Sequence, residues 1–271
     1  MEKLQAALAT ARQNRAGKAG DRRVGDPSEP RTRRSVGAGG ALWEQLTEFY
    51  PPADKLKEHR VVTQVASAAA TPFDILRTKI LLQMQQNGWK RLAITSPMPE
   101  SGKTTTACNL ALGLARQKEI RSMLFDMDLR DPSVHEFFEH QPEYSIGSLL
   151  EGEAAFEDQA LRVGGNLAVS MASKPESDPS RILLSEGATA VLDDVQQRYQ
   201  PDVMIFDLPS VLVNDDTRAF LKNVDCALII SRANVTKYSQ FDVCEREIAE
   251  HTNVLGVVLN ACRNGKRSSD I

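Results

Sequence analysis

The apolar residues of this chain fall into short unbroken runs, separated by stretches with helical spacing. Leu92-Ala-Ile, Met123-Leu-Phe, Val203-Met-Ile-Phe, Cys226-Ala-Leu-Ile-Ile and Val254-Leu-Gly-Val-Val-Leu are apolar at nearly every position. A strand with one solvated face alternates, whereas a strand covered on both faces reads as a continuous apolar run. The runs predict strands at 91–95, 121–126, 166–171, 203–207, 226–231 and 254–259. Between them lie segments such as 107–116 (Ala-Cys-Asn-Leu-Ala-Leu-Gly-Leu-Ala-Arg), and a helix is predicted through 73–84 ahead of the first strand. Strands alternating with helices predict an α/β fold: a doubly wound, mostly parallel sheet.

Upstream the pattern changes. Residues 2–16 are rich in helix formers, with Leu4, Ala7, Leu8 and Ala11 on one stripe; a helix that short needs a partner surface. Residues 17–40 fill with Gly, Pro, Ser and Arg, the composition of a linker. Residues 41–60 predict a second short helix around Trp43, Leu46 and Phe49, stopped at Pro51-Pro52. The expected organisation is therefore a helical, partly disordered extension over 1–60, a folded domain over 61–263 and a short disordered tail over 264–271. The polar stretch 172–181 is expected to be a loop at the carboxyl edge of a strand, where such sheets bind ligands.

Composition narrows the class. At 271 residues with 25% charged residues and net charge −3, the chain shows no overall bias toward nucleic acid, which is not an expected partner. Charge is uneven, however: residues 1–40 hold nine Lys/Arg against four acids, enough to touch an acidic surface or to stay solvated. Cys108, Cys226, Cys244 and Cys262 form no C-x-x-C pair and read as small core residues of a reduced compartment. No apolar run approaches a membrane span and no signal-peptide core is present. A cytoplasmic protein is expected, peripheral to the inner membrane only through a partner.

The chemistry is concentrated where the first strand ends. Leu92-Ala-Ile-Thr-Ser-Pro97-Met98-Pro99-Glu100-Ser101-Gly102-Lys103-Thr104-Thr105 runs from strand through turn into helix. That order builds a phosphate loop, whose backbone N–H groups converge on one spot with the helix dipole behind them. Lys103 would reach the β/γ-phosphates of ATP and the Thr104 hydroxyl would sit on Mg²⁺. The loop is irregular: the pattern G-x-x-x-x-G-K-[ST] puts its first glycine where Pro97 stands, and Glu100 and Ser101 occupy a crown that commonly needs glycine. Two acidic strand ends follow, Asp126-Met-Asp128-Leu-Arg130-Asp131-Pro132 and Asp207-Leu-Pro209. Such carboxylates either cap the next helix or hold the shell of Mg²⁺; beside a phosphate loop, Asp128 and Asp207 are expected in the second role. The last strand ends in Asn260, which is placed either to bond a base edge or to form a turn.

These residues resemble the bacterial tyrosine kinases of capsule and exopolysaccharide synthesis, a branch of the P-loop ATPases related to MinD and ParA. The resemblance spans about residues 60–263 and rests on Ile94-Thr-Ser-Pro97 with Gly102-Lys103-Thr104, on Asp126-x-Asp128-x-Arg130 with Pro132 and His135, and on Asp207-x-Pro209. Leu76-Arg77-Thr78 and Gly256-Val-Val-Leu-Asn260 also match. It implies that Pro99 to Thr105, with Arg130 and Asn260, bind ATP; that Lys103, Asp126, Asp128 and Asp207 are catalytic; and that Thr104, Asp128 and Asp207 hold Mg²⁺. It also implies a membrane partner of the chain-length-determinant or polysaccharide co-polymerase type, and a homo-oligomer. Several positions depart from the family. Its loop reads Pro-Gly-x-Gly-Lys where this chain has Pro99-Glu100-Ser101-Gly102-Lys103. The Glu-x-x-Arg-x-x-Arg of its oligomerisation helix is here Thr71, Asp74 and Arg77, and no tyrosine cluster follows Tyr238. Met98 stands where MinD and ParA carry a signature lysine.

Overall fold

The structure is a computed structural model, and it describes residues 38–262. The expected helix over 2–16, most of the linker over 17–40 and the tail over 264–271 lie outside the described residues.

Eight strands form one sheet. In chain order they are β1 (Thr47–Phe49), β2 (Arg91–Thr95), β3 (Ser122–Asp126), β4 (Leu161–Val163), β5 (Leu167–Ser170), β6 (Val203–Asp207), β7 (Cys226–Arg232) and β8 (Asn253–Asn260). Their spatial order is β1-β4-β5-β3-β6-β2-β7-β8, and every neighbouring pair is parallel except β4 with β5. Alternate residues of the central strands enter different cores. Leu92, Ile94, Leu124, Val203 and Ile205 face one cluster, while Ala93, Met123, Phe125, Met204 and Phe206 face the other. That double burial is why these strands are apolar throughout. The first cluster is closed by α3 (Thr71–Asn87) and α4 (Lys103–Ala115); the second is closed largely by α9 (Glu186–Tyr199). The remaining helices are α1 (Ala38–Gln45), α2 (Ala53–Glu58), α5 (Val134–Phe138), α6 (Ile146–Leu150), α7 (Phe156–Gln159), α8 (Pro179–Leu184), α10 (Asp216–Phe220) and α11 (Tyr238–His251).

Six strands stand where the apolar runs predict them. The segment 41–60 differs. It holds the end of α1, then β1 paired with β4, then Pro51-Pro52 and α2. Thr47-Glu-Phe49 is β-prone, and the pairing edge offered by β4 outweighs the weak helical pattern. The packed body also begins upstream of the expected boundary near Val61. Trp43 and Leu46 are 2% exposed, Leu56 is fully buried, and the Trp43 indole N–H donates to the Tyr199 carbonyl at 2.9 Å. A buried indole needs such a partner, so this contact fixes α1 to α9. The polar loop expected over 172–181 is shorter, because Pro179 starts α8 and the Asp178 carboxylate accepts from the Arg181 N–H. Cys108, Cys226 and Cys244 are buried as expected, but Cys262 is exposed.

Among the described residues no helix is long and apolar enough to cross a membrane. Asp74 and Arg77 pair at 2.9 Å, Asp74 also meets Arg116 at 2.9 Å, and Arg77 Nη1 donates to the Gly113 carbonyl at 2.7 Å. Two of the three positions that correspond to the oligomerisation motif are therefore spent on packing α3 against α4.

Candidate functional site

The loop after β2 crosses the carboxyl edge of the sheet between β6 and β7 and ends on α4. Gly102 has φ +89° and Glu100 φ +56°, so the crown does use the left-handed backbone that glycine favours, with a glutamate at one of the two positions. The Ser101 hydroxyl donates to the Met98 carbonyl at 2.7 Å, closing the turn. Lys103 and Thr104 open α4, where unpaired amides and the dipole favour an anion. A cavity of about 380 Å³ lies over this end, bounded by the loop from Pro99 through Gly102 to Thr105 on one side. Asp128, Arg130 and Asp131 bound it on the second, and Pro209, Ser210 and Val213 on the third.

The structure brings most of the predicted site residues together. Lys103 Nζ donates to the Ser210 hydroxyl at 3.3 Å, and the Thr104 hydroxyl lies 3.3 Å from that of Ser133. Asp126 and Asp207 are register partners at the ends of β3 and β6. Asp207 is 1% exposed, and beyond the nearby Thr104 hydroxyl neither carboxylate oxygen has a hydrogen-bond partner. Burial pushes it up to about 7, against the pull of the Lys103 charge and the Thr104 hydroxyl. Asp128 is pushed up to about 6 by burial, with Lys103 again opposing. Asp126 lies beneath the cavity rather than on it. It is fully buried, one oxygen accepts from the Val134 N–H at 3.1 Å, and burial followed by the Asp207 charge holds it well above the usual carboxylate range. Its bond to Val134 ties the end of β3 to the first turn of α5.

Two of the predicted residues have partners within the chain that the sequence did not indicate. Arg130 lines the cavity but is gripped from behind, its Nε and Nη2 donating to the two oxygens of buried Asp216 at 2.9 and 3.0 Å. Asn260 does not reach the cavity. Its Nδ2 donates to the Ser101 carbonyl at 2.9 Å and its Oδ1 accepts from the Ala261 N–H at 2.8 Å, so both ends of the amide are used by the chain. Ser133, Ser210, Asp216 and Arg232 were missed from sequence. Ser210 could have been found as the residue just past Asp207-x-Pro209; the other three are joined to the site only by tertiary contacts.

The residues present fit a magnesium nucleotide. A buried carboxylate with a hydroxyl and a lysine near it is suited to a hard cation, and Asp207 with Thr104 would supply hard oxygen donors. Among the described residues no three His, Cys, Asp or Glu side chains converge as a metal cage.

A parallel α/β sheet with a phosphate loop at its carboxyl edge defines a P-loop nucleotide-binding protein. Residues 92–270 match the CobQ/CobB/MinD/ParA nucleotide binding domain, and the chain belongs to that family. Within it the chain is similar to bacterial tyrosine kinases. It is 27% identical over 210 residues to "Tyrosine-protein kinase YwqD" of Bacillus subtilis, covering 76% of this chain and 87% of that one. It is 26% identical over 175 residues to "Succinoglycan biosynthesis transport protein ExoP" of Rhizobium meliloti, covering 62% of this chain but only 22% of ExoP. Among solved structures, the VpsO kinase domain superposes with a TM-score of 0.63 at 25% identity, covering 77% of this chain and 98% of that one.

Proposed function

We propose that this chain binds ATP with Mg²⁺ in the cavity at the loop and hydrolyses it, as a kinase-like regulator of exopolysaccharide or capsule polymerisation and export. The observation that carries the reading is Asp207, buried at the end of β6 with Lys103 and Thr104 of the cavity wall as the groups that act on its carboxylate. In this reading the amides of the crown and of the first turn of α4 bind and orient the phosphates, and Lys103 leaves Ser210 for the β/γ-phosphates. Thr104 and Asp207 hold the cation, which when bound neutralises charge developing on those phosphates. Asp128, on the cavity wall with its carboxyl near 6, is suited to take a proton from the attacking hydroxyl. Tyrosine phosphotransfer is supported by the likeness to named tyrosine kinases. A membrane co-polymerase partner is supported by ExoP, in which the matched part is under a quarter of a transport protein.

A second reading, a nucleotide-gated adaptor with little phosphotransfer, is favoured by the way Arg130 is tied to Asp216 and by the burial of Asp126. Incubation of the purified protein with labelled ATP, with and without Mg²⁺ and tyrosine-containing copolymer, separates the two. The enzyme reading expects Mg²⁺-dependent phosphate release or phosphotyrosine; ATP binding with neither product would leave the adaptor.

A further inference from the structure

Glycine at positions 100 and 101 would let a phosphate loop take its shape unaided, yet this crown takes that shape with glutamate and serine. Two of its peptide carbonyls are held by the ends of β7 and β8. Arg232 Nη1 donates to the Glu100 carbonyl at 3.1 Å and meets the Glu100 carboxylate at 3.3 Å. Asn260 Nδ2 donates to the Ser101 carbonyl at 2.9 Å. Arg232 and Asn260 are register partners at the ends of β7 and β8, and neither bounds the cavity.

A trans peptide places its C=O and N–H on opposite sides. Holding the Glu100 carbonyl against Arg232 therefore turns the Ser101 N–H away from β7, and holding the Ser101 carbonyl against Asn260 does the same for the Gly102 N–H. Successive amides turned to one side, with left-handed backbone at Glu100 (φ +56°) and Gly102 (φ +89°), make an anion-binding nest. Gly102 and Asn260 also fit each other: a Cβ at 102 would lie 2.3 Å from Asn260 Nδ2, so the amide reaches the loop only because that residue is glycine. The bond from Ala261 N–H to Asn260 Oδ1 at 2.8 Å orients the amide with its nitrogen toward the loop.

We infer that Arg232 and Asn260 are positioning residues for the polyphosphate chain, clamping the crown so that its amides face the phosphates in place of the glycines it lacks. The inference rests on the nucleotide reading above. It assigns Asn260 to the phosphates and not to the base, and it makes Arg232 necessary only while residue 100 is not glycine.

The test measures binding of MgATP, MgGTP and inorganic tripolyphosphate to the full chain, in the wild type and in Asn260→Ala, Asn260→Asp, Arg232→Ala, Glu100→Gly and Arg232→Ala/Glu100→Gly. Melting of the unliganded proteins is followed in parallel. Asn260→Ala should weaken all three ligands by one common factor of about ten, the scale of one lost hydrogen bond that orients a site. Asn260→Asp keeps the size but sets an acceptor against the Ser101 carbonyl, and should do at least as much harm. Arg232→Ala should weaken all three likewise, whereas the double variant should bind them as tightly as Glu100→Gly alone; a purely structural arginine would cost the same in both backgrounds. Loss of ATP binding with tripolyphosphate unaffected would make Asn260 a base contact and overturn the clamp. Unchanged affinities in the variants, with the wild type binding normally, would overturn it alone. A wild type that binds none of the three ligands would overturn both the clamp and the nucleotide reading.

Discussion

Single side chains here are set by what surrounds them more than by their type. Lys103 sits on the cavity wall with Ser210 as its partner, so Lys103→Ala removes a point charge aimed at the phosphates and little packing. ATP turnover should fall by at least about 100-fold with melting unchanged, by phosphate release and calorimetry. Glu100→Gly relieves a left-handed backbone worth about 1 kcal/mol and removes a carboxylate from the cavity rim; its bridge to Arg232 is exposed and contributes little. ATP should bind more tightly to that variant in titration, and weaker binding would give the glutamate a positive role. Asp207 carries a pH dependence. Its folded value near 7 lies above the unfolded value, so the folded state binds the extra proton between about pH 4 and 7. Its contribution to stability is complete below the unfolded value and is lost as pH rises through 7. In EDTA, the melting temperature of wild type should therefore fall across that window more steeply than that of Asp207→Asn. Parallel slopes would mean that the carboxylate is not buried as described.

Elements depend on contacts that their own sequences do not contain. The segment α1-β1-α2 is held by Trp43 against Tyr199, by pairing of β1 with β4, and by Leu56 in the core of α3 and α4. His59 stacks on Phe137, which bounds the cavity, with ring centroids 4.3 Å apart. Asn109 on α4 bonds the Val62 N–H and the Arg60 carbonyl, stitching the next segment to the loop's own helix. Trp43→Ala should cost about 3–5 kcal/mol in denaturant unfolding, the range for a large buried aromatic. A loss under about 1 kcal/mol would show that α1 is docked loosely and that the core closes without it.

For the whole molecule, the boundary between arm and body decides what a truncation does. The described body includes α1, with Trp43 and Leu46 inside its core. A chain starting at residue 37 should keep its melting temperature and its ATP turnover. One starting at residue 61 should lose several kcal/mol, because it exposes the surfaces that covered Trp43, Leu46 and Leu56. If the basic arm serves the proposed membrane partner, the shorter deletion should weaken that association in co-purification and leave turnover intact; unchanged association would leave the arm without this role.

Sequence alone determined the parallel α/β class, because strands covered on two faces must be apolar throughout. It also placed Lys103, Thr104, Asp128 and Asp207 at one edge of the sheet, because each lies at the carboxyl end of such a strand or on the loop and helix that follow it, and parallel strands end at the same edge. Strands β1 and β4 were not legible, since three residues carry no period and gain strand character only from a neighbour. Nor were the roles of Asn260, Arg232 and Asp216. A polar residue at a strand end reads alike whether it meets a ligand, a turn or a loop 159 positions away in the chain. Which of these it meets depends on the order of strands across the sheet, and that order is fixed only when the two cores close.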